Sequence, residues 1–129
     1  MSTPAPLPIL LIEDERSVMS FLCAALATSG YATTPATSAE EGLAMLESRR
    51  FKGVISDMRT PGPVNGADVY RWISQHRPEL AHRLLFITGD ILNEETANVL
   101  QQTGVPCIEK PFRLSQLVEK VRTVIGDAR

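Results

Sequence analysis

Four short polar segments carry the residues that could do chemistry, and each closes an apolar run. Glu13-Asp14-Glu15 follows Ile9–Ile12, and Asp57 follows Gly53–Ser56. Thr88-Gly89-Asp90 ends the run that starts at Leu84, and Glu109-Lys110-Pro111 follows Val105–Ile108. Each segment alone has a plain reading. Acidic residues ahead of a helix favour its positive end. An aspartate before a turn caps that turn. A threonine at a strand end is an ordinary strand residue, and a lysine beside a proline is solvated.

Together the four segments supply several carboxylates, one hydroxyl and one ammonium. Such a set suits a hard cation and a phosphoryl group. Mg²⁺ takes oxygen ligands and keeps several waters, so two or three carboxylates and a backbone carbonyl hold it without enclosing it. An ionised aspartate beside that ion can attack phosphorus and form an aspartyl phosphate. The metal and a lysine then offset charge on the phosphoryl oxygens, and a threonine hydroxyl can donate to one of them.

This chemistry requires the segments to meet, and the pattern of elements brings them together. The apolar runs Ile9–Ile12, Tyr31–Pro35, Gly53–Ser56, Leu84–Thr88 and Val105–Ile108 read as strands, the second being the weakest. Between them lie helical stripes. Val18, Leu22, Ala25 and Leu26 form the first, which Gly30 can close in a left-handed conformation. Ser38-Ala39-Glu40-Glu41 has a capping-box pattern that opens the second. The third starts near Gly66, presents Val69, Trp72, Ile73 and His76, and stops at Pro78. The fourth runs from near Asn93 to Gly104. The fifth follows Pro111 and aligns Leu114, Leu117, Val118, Val121 and Ile125. Five βα units of this kind predict an α/β fold, a doubly wound (βα)5 sandwich on a parallel sheet, with ligands beyond the carboxyl ends of the strands.

Composition narrows the function classes. A chain of 129 residues fits one domain. Its net charge of −2 gives no broad attraction to nucleic acid or to an anionic bilayer. Ile9–Ile12 is too short for a membrane span or a signal segment, so a cytoplasmic location is expected. Cys23 and Cys107 read as buried, reduced thiols, and no Cys or His pair has zinc-ligand spacing. The opening MSTPAPLP is Pro-rich and reads as a lead-in.

The segments LLIEDE, VISDMRTPG, LLFITGD and IEKPF, in that order, resemble the receiver domain of two-component response regulators. The resemblance spans residues 8–126, leaving 1–7 as lead-in and 127–129 as tail. It implies a flavodoxin-like strand order of 2-1-3-4-5. It implies Asp57 as phosphoacceptor, Thr88 as switch hydroxyl and Lys110 as phosphate-binding amine. Mg²⁺ would be held by Glu13, Asp14, Asp57 and the backbone carbonyl of Arg59. Met58, Gly89, Asp90, Pro111 and Cys107 would modulate the site, and the Lys110–Pro111 bond would be cis. The implied partner is a histidine kinase or a histidine phosphotransfer protein. No direct nucleic-acid binding is expected, and a weak homodimer through the fourth and fifth βα segments is.

Three departures stand out. Many relatives carry an aromatic residue three positions before the lysine, where this chain has Cys107. Relatives usually place a glycine eight residues after the phosphoacceptor. Here Gly66 is nine after Asp57, across a loop with two prolines. Arg59 and Asp90 flank the expected path of an attacking water and could pair across the site. Rival readings are weaker. A phosphatase of the haloacid dehalogenase type needs Asp-x-Asp after the first strand, and this chain has Glu13-Asp14-Glu15. A receiver-like interaction module that is never phosphorylated would ordinarily have lost the Asp, the Lys or the acidic pair. ITGD and TGVPCIEKPF look most like receivers attached to hybrid sensor histidine kinases.

Overall fold

The computed structural model describes residues 6–60 and 62–128. Most of the Pro-rich lead-in therefore lies outside the described residues. The elements alternate as expected: β1 (Ile9–Ile12), α1 (Arg16–Thr28), β2 (Thr33–Ala36), α2 (Ala39–Ser48), β3 (Gly53–Asp57), α3 (Gly66–His76), β4 (Leu84–Thr88), α4 (Glu94–Thr103), β5 (Cys107–Glu109) and α5 (Leu114–Val124). All strand pairs are parallel, in the order β2-β1-β3-β4-β5.

Strand alternation divides the core in two. Leu10, Ile12, Val54, Leu84 and Phe86 face one layer, with Leu46, Val69 and Ile73 from α2 and α3. Ile9, Leu11, Ile55, Leu85 and Ile87 face the other, with Leu22 and Leu26 from α1 and Leu117 and Val121 from α5. Strands covered on both faces explain why β1, β3 and β4 read as continuous apolar runs. Helix α4 is seated most lightly. Thr96 is its only fully buried residue, with Val99 and Leu100 half-buried.

Several boundaries differ from the sequence reading, each for a local reason. Tyr31 is not a strand residue. Its N–H still bonds Leu26 O, and its hydroxyl donates to Gly126 O at 2.6 Å, so β2 starts at Thr33. β5 starts at Cys107 because Val105 N–H goes to Thr103 Oγ1 and Pro106 has no N–H to give. Ser38 Oγ accepts from Glu41 N–H as a cap, but the Glu41 carboxylate accepts from Thr37 rather than completing a box. The reciprocal box belongs to α3, between Asn65 and Asp68. Leu114, expected on the buried stripe, is 48% exposed. His76 is exposed and stacks on Trp72 at 4.5 Å. A 3-10 turn, Leu80–Arg83, follows Pro78 and buries Leu80. Both cysteines are free but only half-buried.

Candidate active site

The parallel register delivers the four polar segments to one edge. Ile12 pairs with Ser56, Asp57 with Ile87, and Thr88 with Glu109. Backbone bonds extend the ladder just past the strand ends: Glu13 N–H to Ala36 O, Met58 N–H to Ile87 O and Lys110 N–H to Thr88 O. The side chains are thereby fixed on rigid backbone. Glu13, Asp57 and Thr88 are buried, at 1%, 7% and 4% exposure, whereas Asp14 is exposed.

Lys110 lies at the centre. Its Nζ is 2.9 Å from Asp57 Oδ2, 2.9 Å from Glu13 Oε1 and 3.1 Å from Glu15 Oε1. Burial pulls the ammonium pKa down, but the close carboxylates of Asp57, Glu13 and Glu15 outweigh it and raise the pKa above its usual value. Asp57 Oδ1 accepts the Arg59 backbone N–H at 3.0 Å. Burial raises the Glu13 pKa, opposed by the Glu15 N–H bond and by Lys110. Thr88 Oγ1 accepts Asp90 N–H at 3.1 Å, which leaves its own proton free to donate. The Lys110–Pro111 bond is cis.

Glu13, Asp14 and Asp57 can each present one carboxylate oxygen, all within 4.8 Å of one another. Three carboxylates facing one ammonium leave the site strongly negative. Glu13 Oε1 is buried without an aligned hydrogen-bond donor; the Lys110 ammonium is close to it but off the bonding direction. A buried, unsatisfied carboxylate oxygen in an all-oxygen cluster fits a hard divalent cation. Beside it a cavity of about 260 Å³ is lined by Asp57, Arg59, Thr88, Gly89, Asp90 and Lys110, among others.

The structure corrects one pairing. Arg59 does not reach Asp90; its ion pair among the described residues is with Glu95 on α4, at 3.9 Å. Two roles were not read from sequence, although both residues had been noted there. Glu15 is a third carboxylate on Lys110, and the acidic run itself was the available signal. Gly66 lets α3 approach the end of β3: a Cβ there would lie 3.1 Å from Met58 Cα and 3.2 Å from Asp57 O. Cys107 is half-buried in β5, with no aromatic ring at that position.

The family model for the response regulator receiver domain matches residues 9–122. This chain belongs to that family. The receiver domain of sensor histidine kinase PA1611 from Pseudomonas aeruginosa PAO1, with magnesium in its active-site cleft, superposes with a TM-score of 0.82. It is 25% identical, over 95% of this chain and all of that one. The receiver domain of NtrX from Brucella abortus is 28% identical with a TM-score of 0.80, over 91% and 97% of the two chains. Among curated proteins, the C4-dicarboxylate transport transcriptional regulatory protein DctD of Rhizobium meliloti is 34% identical over 88% of this chain. This receiver spans 24% of DctD and 51% of PmrA from Pectobacterium parmentieri, which is 28% identical over 91% of this chain. Its relatives thus include receivers of sensor kinases and of transcriptional regulators. The chain is a phosphoaccepting receiver that catalyses its own phosphotransfer rather than turning over a separate substrate. No helix among the described residues is long and apolar enough to cross a membrane.

Proposed function

We propose that Asp57 takes a phosphoryl group from a phosphohistidine on a histidine kinase or histidine phosphotransfer protein. The observation that carries this is the placing of Asp57 Oδ2 at 2.9 Å from Lys110 Nζ, in a cavity shared with Thr88 and beside Glu13 and Asp14. An Asp57 oxygen forms the new O–P bond while the P–N bond to histidine breaks, its electron pair returning to the ring. Lys110 leaves the Asp57 carboxylate for a phosphoryl oxygen, and Thr88 turns its free hydroxyl proton toward another. Both groups act on charge that the carboxylate gains with the phosphoryl group. Hydrolysis returns Asp57 to its starting state.

Glu13, Asp14, Asp57 and the Arg59 carbonyl are the groups that would hold Mg²⁺. Bound there, the ion supplies positive charge to the phosphoryl oxygens. Met58, Gly89, Asp90, Pro111 and Cys107 modulate these groups, Gly89 and Asp90 from the wall of the same cavity. With Cys107 in place of a ring, the switch runs through Thr88 and the loop after β4. The receiver unit is residues 8–126, with 1–7 as lead-in and 127–129 as tail. It works in the cytoplasm, without direct nucleic-acid contact, and associates weakly with itself through the α4–β5–α5 face.

Incubation with acetyl phosphate and Mg²⁺ followed by intact mass tests the central claim. The parent gains one phosphate-sized increment and Asp57→Asn gains none. Labelling that persists in Asp57→Asn removes Asp57 from the role.

A further inference from the structure

Five cations gather at the sheet edge opposite the active site. Arg49, Arg50 and Lys52 lie in the connection from α2 to β3, and Arg77 and Arg83 bracket the connection from α3 to β4. β3 and β4 are neighbours, so the two connections lie side by side. Arg77 Nη1 donates to Arg49 O at 2.9 Å, and Arg83 Nε donates to Lys52 O at 2.7 Å. These bonds draw the positive charges together without neutralising them, because a carbonyl carries no net charge; the exposed acids of the same two segments, Glu47 and Glu79, offset two of the five charges and leave the edge net positive. Among the described residues, none of the five makes an ion pair; the pairs formed use Arg59, Arg71, Lys110 and Arg122. Five of the thirteen Lys and Arg residues of a chain with net charge −2 are thus held at one edge. The carboxylates of the active site lie beyond the length of β3, about 17 Å away for a five-residue strand. That exceeds the Debye length of about 8 Å at physiological salt, so they do not cancel this field.

We propose that this basic edge binds an extended acidic segment of a partner protein while the opposite edge exchanges phosphoryl groups. The shape of the patch selects the partner. Arg49 and Arg50 are exposed, but Lys52, Arg77 and Arg83 are half-buried. A flat bilayer or a nucleic-acid duplex meets the first two only. A slender chain can bring carboxylates to the half-buried three, where the Lys52 ammonium and the guanidinium N–H groups of Arg77 and Arg83 that the two carbonyls leave free donate to them. Leu7 is 43% exposed beside Pro8, whose carbonyl accepts from Lys52 N–H at 2.8 Å, so an aliphatic residue among the acids completes the fit.

The test is fluorescence anisotropy with a labelled peptide of alternating glutamate and glycine carrying one leucine. Arg49→Gln with Arg50→Gln weakens binding about tenfold, because these side chains hold no structural contact. Arg71→Gln with Arg122→Gln, removing equal charge from other faces, weakens it less than about twofold. Acetyl phosphate labels both double variants like the parent, which reports an intact fold. Equal weakening by both pairs, absence of saturable binding, or tighter binding to phosphatidylserine vesicles or duplex DNA than to the peptide overturns the proposal.

Discussion

Replacing Lys110 by Met keeps length and apolar stem but removes the one cation shared by Glu13, Asp57 and Glu15. At an effective dielectric of 20, each contact at 2.9 Å is worth about 6 kcal/mol of gross attraction. Desolvation cancels much of that, and the exposed Glu15 adds little. Removing one partner of a buried ion pair costs about 3–5 kcal/mol. Glu13, whose pKa burial already raises, can take up a proton in the variant, which holds the loss near the lower figure. For 129 residues the unfolding entropy is about 0.27 kcal/mol/K, so about 3 kcal/mol lowers Tm by roughly 11 °C. Thermal melts in chelator measure this. Saturating Mg²⁺ then returns positive charge to the same carboxylates. At a hundredfold excess over Kd a ligand stabilises by about 2.7 kcal/mol, and the variant, with no ammonium competing, gains more than the parent. The reasoning fails if the variant melts within about 2 °C of the parent in chelator, or if Mg²⁺ raises both by the same amount.

Three further outcomes are expected. Gly66→Ala forces three contacts of 3.1–3.2 Å to open, costing about 1–3 kcal/mol by overpacking, and weakens Mg²⁺ binding by moving the Met58–Arg59 backbone; denaturant unfolding and a Mg²⁺ titration read both. Burial, aided by the charge of Glu109, pushes the Cys107 thiol up to about 11 from 9.0, so at pH 8 iodoacetamide modifies it about a hundredfold more slowly than an unshifted thiol. The same shift means the unfolded chain ionises first, so stability falls as pH rises from about 9 to about 11. Tyr31→Phe deletes the 2.6 Å bond to Gly126 O, costing about 1 kcal/mol, or roughly 4 °C in Tm, with phosphorylation unchanged.

The centre of this fold was readable from the sequence and its margins were not. β1, β3 and β4 lie between two layers, so burial made them apolar up to their last one or two residues, and polar residues at or just past those ends marked where they stop. β2 and β5 are edges, where half the burial signal is missing and single bonds from Tyr31 and Thr103 decide the start. In the site, Asp57, Thr88 and Lys110 were readable because each ends a strand or directly follows one. Glu95 was not, because its tie to Arg59 depends on how α4 lies against the loop after β3. Side-chain geometry of that kind leaves no period in a sequence.

The light seating of α4 sets the scale of the signal this domain can send. A covalent modification can shift a conformational equilibrium only by its differential interaction with the two states, and 1–3 kcal/mol is a common coupling. A helix clamped by several large core side chains would need more than that to be displaced. One anchored by a single buried threonine and two half-buried aliphatics needs less. Filling that contact, for example with a larger residue at Val99, would raise melting temperature and cost responsiveness: a stiffer domain, and a quieter one.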